Sequence, residues 1–305
     1  MQVSHHPDYF VPLPEGHPFP MAKYTLVREI LVERGVIAPG DVVLVPAEID
    51  RAHLERVHTA EYLEKLETGG LSANEQRRLG VPWSPALYRR SRLAAQGTLD
   101  AACRALEVGL SGNLAGGTHH AFADRGEGFC LLNDVAIAIR ALQAQGAIER
   151  ALVVDLDVHQ GNGTAAIFEG DPSVFTFSMH GATNYPAVKM RSTLDIALPD
   201  GTDDIRYLDA LRSELPRILD GFRCELVFYL AGVDVARGDR YGRLLLSEEG
   251  VRARDRYVIR AVRERGLPLV LTLAGGYAAT ARRTAELHAI VFEEAVRFSR
   301  GHRFS

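Results

Sequence analysis

The stretch ALVVDLDVH, residues 151–159, joins an apolar run to three polar side chains. Residues 151–154 are apolar on both faces, as a buried parallel strand requires. Alternate residues of an extended chain share one face, so Asp155, Asp157 and His159 point the same way. Two carboxylates and an imidazole are costly to bury together unless a cation lies between them, and a divalent metal is the simplest such cation. The stretch therefore predicts a strand over residues 151–155 that ends in a metal site.

Apolar runs and helical patterns alternate along the rest of the chain. Three further runs are short enough for strands, at residues 174–178, 226–231 and 268–274. Helical spacing predicts helices over residues 24–34, 86–108, 134–145, 207–219 and 249–265. This alternation is typical of an α/β fold with an open, mainly parallel β-sheet and helices on both faces. Because no repeat or long linker interrupts it, we expect one domain over residues 1–305.

Composition restricts the classes of partner. Lys and Arg number 35 against 39 Asp and Glu, a formal net charge of −4, so we expect no nucleic-acid partner. Three widely spaced cysteines fit reduced thiols better than a disulfide framework. The first residues lack the signal-peptide pattern, and no apolar window reaches about 18 residues. We therefore expect a cytoplasmic protein with no membrane partner.

Polar residues follow every one of the predicted strands. After the first strand come Asp155, Asp157 and His159, and the later strands are followed by Ser178, His180, Asp234 and the Gly275-Gly276-Tyr277 turn. Ligands of open α/β sheets bind beyond the carboxyl ends of the strands, so these residues are expected to meet. Two carboxylates and one imidazole, from Asp157, Asp234 and His159, leave coordination positions open, as in a catalytic zinc site. By itself, Asp234 fits a helix N-cap or a turn equally well.

A glycine-rich loop with two adjacent histidines supplies a second group of polar residues. Gly116 and Gly117 precede Thr118, His119 and His120. The dipeptide alone is a weak signal, because the same pair occurs near the N-terminus at residues 5–6. The glycines, together with the loop at residues 126–130, allow backbone and an aromatic side chain to approach a ligand closely.

Five motifs, in this order, resemble those of the histone deacetylase superfamily. They are GGTHHAF at residues 116–122, GFCLLND at 128–134, DLDVHQGNGT at 155–164, AGVD at 231–234 and AGGY at 274–277. The sequence HQGNG, at residues 159–163, is most similar to the class IV branch and its bacterial relatives. The resemblance spans nearly the whole chain and implies the arginase/deacetylase fold.

The resemblance also implies residue roles. It assigns one catalytic Zn²⁺, with Fe²⁺ as the alternative metal, to Asp157, His159 and Asp234. In the expected catalytic group, His120 is the general base with Asn162 as its partner, and His119 lies near the leaving nitrogen, held by Asp155. Tyr277 is expected to donate a hydrogen bond to the substrate carbonyl. A structural K⁺ or Na⁺ is expected at Asp155, Asp157, His159, Ser178 and Met179. The expected substrate channel is formed by Gly128, Phe129, Tyr185, Tyr241, Gly275 and Gly276.

Three positions depart from the family pattern. Asn162 replaces the aspartate that class I relatives place beside the base, and it accepts a hydrogen bond without offering a charge. Ala274 replaces a glycine, so its methyl group narrows the inner pocket. Tyr241 replaces a smaller aliphatic residue near the channel. We therefore expect His120 to titrate at a lower pH than in class I relatives. We also expect Ala274 and Tyr241 to change which acyl groups the channel accepts.

Several functions are compatible with these residues. The leading interpretation is a zinc-dependent amidohydrolase that removes acetyl or longer acyl groups from N6-acyl-lysine of a protein. The first alternative is a deacetylase of acetylpolyamines or of another small acyl-amine, which favours an acidic channel entrance. A ureohydrolase with two metals is disfavoured, because the chain shows a single DxDxH motif and one further ligand. A non-catalytic metal-containing binding protein is the remaining alternative.

Overall fold

The described part of the chain is built around one parallel β-sheet. The structure is a computed structural model that describes residues 2–38 and 43–301. Its strands are β1 (Gln2–Ser4), β2 (Val43–Leu44), β3 (Leu110–Asn113), β4 (Ala151–Asp155), β5 (Val174–Gly181), β6 (Leu194–Leu198), β7 (Leu226–Leu230) and β8 (Leu269–Thr272). They lie in the order β2-β1-β3-β8-β7-β4-β5-β6, and all neighbouring strands are parallel. The predicted open α/β sheet is confirmed, and it is parallel throughout.

Helices cover the sheet in two layers. They are α1 (Lys23–Glu33), α2 (Arg51–Leu54), α3 (Ala60–Thr68), α4 (Ala73–Leu79), α5 (Pro85–Val108), α6 (Asp134–Ala144), α7 (Asn162–Ile167), α8 (Asp204–Gly221), α9 (Glu248–Arg263) and α10 (Ala281–Gly301). In one layer α5 packs against α6, and in the other α10 packs between α1 and α9, which contacts α8. None of the described helices combines the length and apolarity needed to cross a membrane.

Local sequence explains where the longest helix begins and ends. The hydroxyl of Ser84 accepts a hydrogen bond from the backbone N–H of Leu87, and Pro85 occupies the first turn of α5. Gly109 ends the helix in the left-handed region, at φ 87°, which costs glycine little. The chain then enters β3 directly.

Some elements carry no clear sequence signal, and β3 is the most instructive. Its sequence, LSGN, lacks an apolar run, yet all four residues are buried between β1 and β8. The side chain of Asn113 is satisfied there, because its amide donates to the carbonyl of Ala94 and its oxygen accepts from the hydroxyl of Tyr9. Tertiary pairing, rather than local composition, makes this segment a strand. Strands β1, β2 and β6 and helices α2, α3, α4, α7 and α10 were likewise not predicted.

The register of the central strands positions the polar residues. Asp155, at the end of β4, pairs with Ser178 of β5 and with Leu230 of β7. Leu230 in turn pairs with Thr272 at the end of β8. Because these parallel strands end at one level, the segments that follow them meet at one edge of the sheet.

Candidate active site

Two carboxylates and an imidazole converge beyond β4 and β7. Ligand atoms of Asp157, His159 and Asp234 all lie within 4.8 Å of one another, and the three side chains are buried. His159 Nδ1 lies 3.0 Å from Asp157 Oδ1 and 3.2 Å from Asp234 Oδ2. The other oxygen of Asp234 accepts a hydrogen bond from the backbone N–H of Val158. Asp234 therefore faces the DLDVH segment, in a position from which it could hold a metal together with Asp157 and His159. Metal binding by Asp234 stays a prediction.

The donor set fits a divalent metal such as zinc. Asp234 Oδ2 is buried and has no hydrogen-bond donor in good geometry among the described residues, although His159 Nδ1 lies 3.2 Å away. Burial, reinforced by the charge of Asp157, raises the pKa of Asp234 to about 7, the behaviour of a carboxylate in need of a cation. A side chain at Gly275 would have its Cβ 2.6 Å from Asp157 Oδ2 and even closer to Asp234 Oδ2, so glycine keeps this space open. Two oxygens and one nitrogen around a buried space match catalytic zinc coordination.

The two adjacent histidines differ in their partners. His119 Nδ1 lies 2.6 Å from Asp155 Oδ2, and His120 Nδ1 lies 2.6 Å from Asn162 Oδ1. Burial opposes charge on both rings, but the carboxylates of Asp155 and Asp157 outweigh it and raise the pKa of His119 to about 9. Burial and the neighbouring imidazoles hold the pKa of His120 well below its usual value. One ring is therefore suited to donate a proton and the other to accept one.

The loop that carries both histidines is held by a carboxylate that we did not single out from the sequence. Asp134, at the start of α6, accepts hydrogen bonds from the backbone N–H groups of Gly117 and Thr118, at 3.0 and 2.8 Å. The hydroxyl of Thr118 also donates to Asp134, at 2.6 Å. The position of Asp134 in the GFCLLND motif, in the first turn of a helix, was the available signal.

Tyr277 faces the same space from beyond β8. Its ring centroid lies 6.4 Å from that of His159. Burial, together with the charges of Asp234 and Asp157, raises the pKa of Tyr277 well above its usual value, so the phenol remains a hydrogen-bond donor. Its backbone N–H donates to Asp239 Oδ2 at 2.6 Å. Asp239 belongs to the GDRYG segment, and its role was not foreseen.

A buried lysine supports the turn before Tyr277. The side chain of Lys23 is fully buried, and its Nζ donates to the carbonyl of Ala274 at 2.8 Å. The same ammonium lies within 5.8 Å of the ring centroids of Phe19, Tyr24 and Tyr277. Ala274 has a φ of 56°, a left-handed conformation that is unusual for a residue with a side chain. Nothing in the local sequence around Lys23 indicates this contact.

A narrow aromatic channel leads from the surface to these groups. The cavity has a volume of about 240 Å³ and is lined by Arg78, Gly80, His120, Gly128, Phe129, His159, Tyr185, Tyr241 and Tyr277. Of the predicted channel residues, Gly128, Phe129, Tyr185 and Tyr241 lie on it. Gly275 lines a smaller inner cavity of about 30 Å³. Gly276 lines neither cavity and instead faces Val233 and His288, whereas Arg78 was missed.

The residues of the expected monovalent-cation site lie together on neighbouring strands. Asp155 and Ser178 are paired in register, and both Ser178 and Met179 are buried. Ser178 Oγ lies 3.0 Å from His180 Nδ1. Asp157 and His159 follow directly in the chain, so all five predicted residues surround the end of β4 and β5. Binding of a cation there stays a prediction.

Comparison with known proteins identifies the family. Residues 17–292 match the histone deacetylase domain. An uncharacterized protein of Picosynechococcus is 49% identical over 276 residues, which cover 90% of this chain and 92% of that protein. Histone deacetylase 2 of Arabidopsis thaliana is 32% identical over 277 residues, covering 88% of this chain and 71% of the relative. The crystal structure of the HDA15 HD domain matches with a TM-score of 0.80 at 25% identity, over 97% of this chain and 91% of that one. The chain therefore belongs to the histone deacetylase family, a family of deacetylases and amidohydrolases that act on acyl-amides.

Proposed function

We propose that the chain is a single catalytic domain that acts as a zinc-dependent amidohydrolase on N6-acyl-lysine. One observation carries the proposal. His119, beside the carboxylate of Asp155, and His120, beside the amide of Asn162, lie next to three buried side chains that could hold a metal and to the phenol of Tyr277. Amide hydrolysis requires these groups, because the amide is a weak electrophile with a poor leaving group.

Each residue has a defined task in this reaction. Asp157, His159 and Asp234 would hold the ion, which when bound supplies Lewis acidity toward the amide carbonyl and the attacking water. His120, neutral because of its low pKa, accepts the proton of that water. His119, protonated beside Asp155, donates a proton to the departing amine.

The phenol of Tyr277 completes the catalytic group from the opposite side of the space. Its raised pKa keeps it protonated, so it donates a hydrogen bond to the carbonyl oxygen as negative charge develops there. The hydrogen bond from the backbone N–H of Tyr277 to the carboxylate of Asp239 fixes the turn that carries this phenol. Oxyanion stabilisation of this kind is worth about two to three orders of magnitude in rate.

The channel favours acyl-lysine over an acetylpolyamine. Among the described residues, the channel lining contains no carboxylate, and its exposed charged member is Arg78. A cationic polyamine would meet a positive charge at the entrance instead of the acidic one that it needs. The aromatic rings of Phe129 and Tyr185 suit the alkyl chain of a lysine.

The inner cavity favours a short acyl group. This cavity has a volume of about 30 Å³ and is lined by Ala274 and Gly275, among other residues. A cavity of this volume accommodates roughly two water-sized groups. We therefore propose acetyl as the preferred acyl group. We also propose a K⁺ or Na⁺ ion near Ser178 that stabilises the end of β4, and a cytoplasmic location for the enzyme.

One set of measurements tests the proposed function. Purified protein is assayed for bound metal and for hydrolysis of an acetyl-lysine peptide, a long-chain acyl-lysine peptide and an acetylpolyamine. We expect one zinc per chain and the highest kcat/KM on the acetyl-lysine peptide. Asp234→Ala is the matched control and is expected to lose both metal and turnover. Protein that contains zinc but hydrolyses none of the three substrates would refute the assignment as a deacylase.

A further inference from the structure

We propose that Glu127 is a positioning residue that fixes the amide of Asn162, and through it the imidazole of His120, in the orientation that the base requires. This inference deepens the proposed function and rests on it. Glu127 lies in the loop before Gly128 and Phe129, and no sequence motif assigned it a role. Its carboxylate belongs to neither the metal ligands nor the channel lining.

The contacts form a continuous chain of hydrogen bonds. His120 Nδ1 lies 2.6 Å from Asn162 Oδ1, and Asn162 Nδ2 donates to Glu127 Oε1 at 3.2 Å. The hydroxyl of Tyr185 donates to the same Glu127 oxygen at 2.5 Å. The second oxygen of Glu127 lies 3.5 Å from Arg125 Nε. The Glu127 side chain is only 14% exposed, so water competes little for these bonds.

The chemistry of an amide makes Glu127 necessary. An asparagine presents an oxygen on one side and an NH₂ group on the other, and a half-turn of the side chain exchanges them. A carboxylate only accepts hydrogen bonds, so Glu127 requires the NH₂ group of Asn162 to face it. The oxygen of Asn162 must then face His120, whose Nδ1 carries the proton. Nε2 is left with the lone pair that a general base uses.

The reverse orientation would disable the base. If the NH₂ group of Asn162 faced His120, Nδ1 would have to accept a hydrogen bond and the proton would move to Nε2. An aspartate at this position has two accepting oxygens and excludes that arrangement by itself. Asn162 does not exclude it. Glu127, which contacts Asn162 and not His120, excludes it by accepting a hydrogen bond from the NH₂ group of Asn162.

The backbone around Glu127 is built to hold this position. Glu127 and Cys130 exchange two backbone hydrogen bonds, at 3.1 and 2.9 Å. Gly128 follows at φ 54°, and a Cβ there would lie 2.5 Å from His120 Cδ2. The loop therefore packs directly against the base. Because Tyr185 shares the same carboxylate, one residue aligns both the base and a wall of the channel.

A double-mutant cycle tests the proposal. Glu127→Met keeps the length of the side chain and removes the acceptor, and it is made alone and together with Asn162→Asp. We expect Glu127→Met to lower kcat on an acetyl-lysine peptide by about ten-fold in the native chain, a part of the contribution of a general base. In the Asn162→Asp background the same change should alter kcat less than about two-fold, because aspartate orients His120 without help.

Two further variants separate positioning from packing. Glu127→Gln retains an accepting oxygen and should recover part of kcat. Tyr185→Phe removes the other hydrogen bond to Glu127 and should change KM more than kcat, since the amide of Asn162 is untouched. An equal loss from Glu127→Met in both backgrounds, with equal falls in the thermal midpoint, would reduce Glu127 to a structural role. An unchanged kcat in the native chain would also overturn the proposal.

A spectroscopic measurement separates this proposal from the proposed function. The ¹⁵N chemical shifts of the His120 ring distinguish the two tautomers whether or not any substrate is hydrolysed. We expect the Nδ1-protonated form in the native zinc-loaded protein and a mixture in Glu127→Met. Unchanged shifts in the variant would refute the positioning role even in an active deacetylase. A change of tautomer in protein that hydrolyses no acyl-amine would instead refute only the deacylase assignment.

Discussion

The floor and the rim of the channel follow different physical rules. The floor, formed by Asp155, Asp157, Asp234 and the two histidines His119 and His120, is almost completely buried. The rim, formed by Arg78, Tyr185 and Tyr241, is exposed, with Tyr185 and Tyr241 at 42% and 37%. Buried charges act in a low dielectric and shift each other's pKa values strongly, whereas exposed charges are screened by water. Substitutions in the floor should therefore change the rate of hydrolysis by orders of magnitude. Substitutions in the rim should change the preference between substrates by small factors.

The floor itself contains an internal contrast between two similar side chains. The rings of His119 and His120 are 4.1 Å apart and equally buried. What differs is the partner, a carboxylate at Asp155 and an amide at Asn162. Burial lowers the pKa of both rings, but the carboxylates of Asp155 and Asp157 outweigh it at His119 and raise that pKa. His120 has no charged partner of its own, so burial and the neighbouring imidazoles keep its pKa low. The proposed acid and base roles of the two histidines thus depend on the residues that contact their rings.

Removal of the base should have the largest effect. His120→Ala is expected to lower kcat/KM by about 10²- to 10⁴-fold, because proton transfer from the attacking water loses its acceptor. Steady-state kinetics on an acetyl-lysine peptide measures the loss. Metal content and the thermal midpoint serve as controls, since His120 is not one of the three side chains proposed to hold the metal. Activity within ten-fold of the native value would exclude His120 as the base.

Removal of the charge beside the acid should have the next largest effect. His119 donates a proton only while it is protonated, so activity is lost as the pH rises through its pKa of about 9. Asp155→Asn removes part of the charge that raises this pKa, and the alkaline limb of the pH–rate profile should move to lower pH by at least about one unit. The matched control is Asp171→Asn, a carboxylate before β5 that pairs with Arg140. Equal profiles for both variants would contradict the assignment of His119.

The same contrast explains what the sequence predicts well. β4 was predicted with its observed bounds, because an apolar run of that length is sufficient to define a buried strand. The polar residues after it were placed at one edge of the sheet by the general behaviour of parallel strands. The partners of His119 and His120 were named from the family resemblance, and the structure puts each within hydrogen-bond distance.

Other contacts had no basis in the local sequence. Lys23 and Asp239 act on Ala274 and Tyr277, which are distant in the chain, and neither belongs to a periodic pattern. The side chain of Glu127 faces Asn162 only because a tight glycine-containing loop brings it there. At the rim, Arg78 lies in the last turn of α4, a short helix with no apolar periodicity that would have indicated the place of Arg78 on the channel. Contacts fixed by tertiary packing are therefore the ones that prediction missed.

A substitution that makes the two histidines alike should have a moderate effect. Asn162→Asp places a carboxylate beside His120 and raises its pKa, because the charged form of the ring gains a partner. The base must be neutral, so activity is lost as the pH falls through this pKa. The acidic limb of the pH–rate profile should consequently move upward by about one pH unit. An acidic limb that does not move would argue against either His120 as the base or Asn162 as its partner.

A charge change at the rim should have the smallest effect, and it should alter only the preference between substrates. Arg78 is exposed and lines the channel entrance, so Arg78→Glu exchanges a repulsive charge for an attractive one toward a cationic substrate. The ratio of kcat/KM for an acetylpolyamine to that for an acetyl-lysine peptide should rise by about five-fold, in line with a charge interaction of about 1 kcal/mol in water.

The matched control for this change lies one residue earlier in the same helix. Arg77 is also exposed, but its guanidinium donates to Asn74 and does not line the channel, so Arg77→Glu should leave the ratio unchanged. Added salt should reduce the effect of Arg78→Glu, because exposed charges are screened over about 10 Å at moderate ionic strength. An effect that persists in high salt, or that is equal in both variants, would mean that the rim selects by shape. The view that the rim selects substrates by its charge would then have to be abandoned, because the preference between substrates would depend on the shape of the aromatic channel walls.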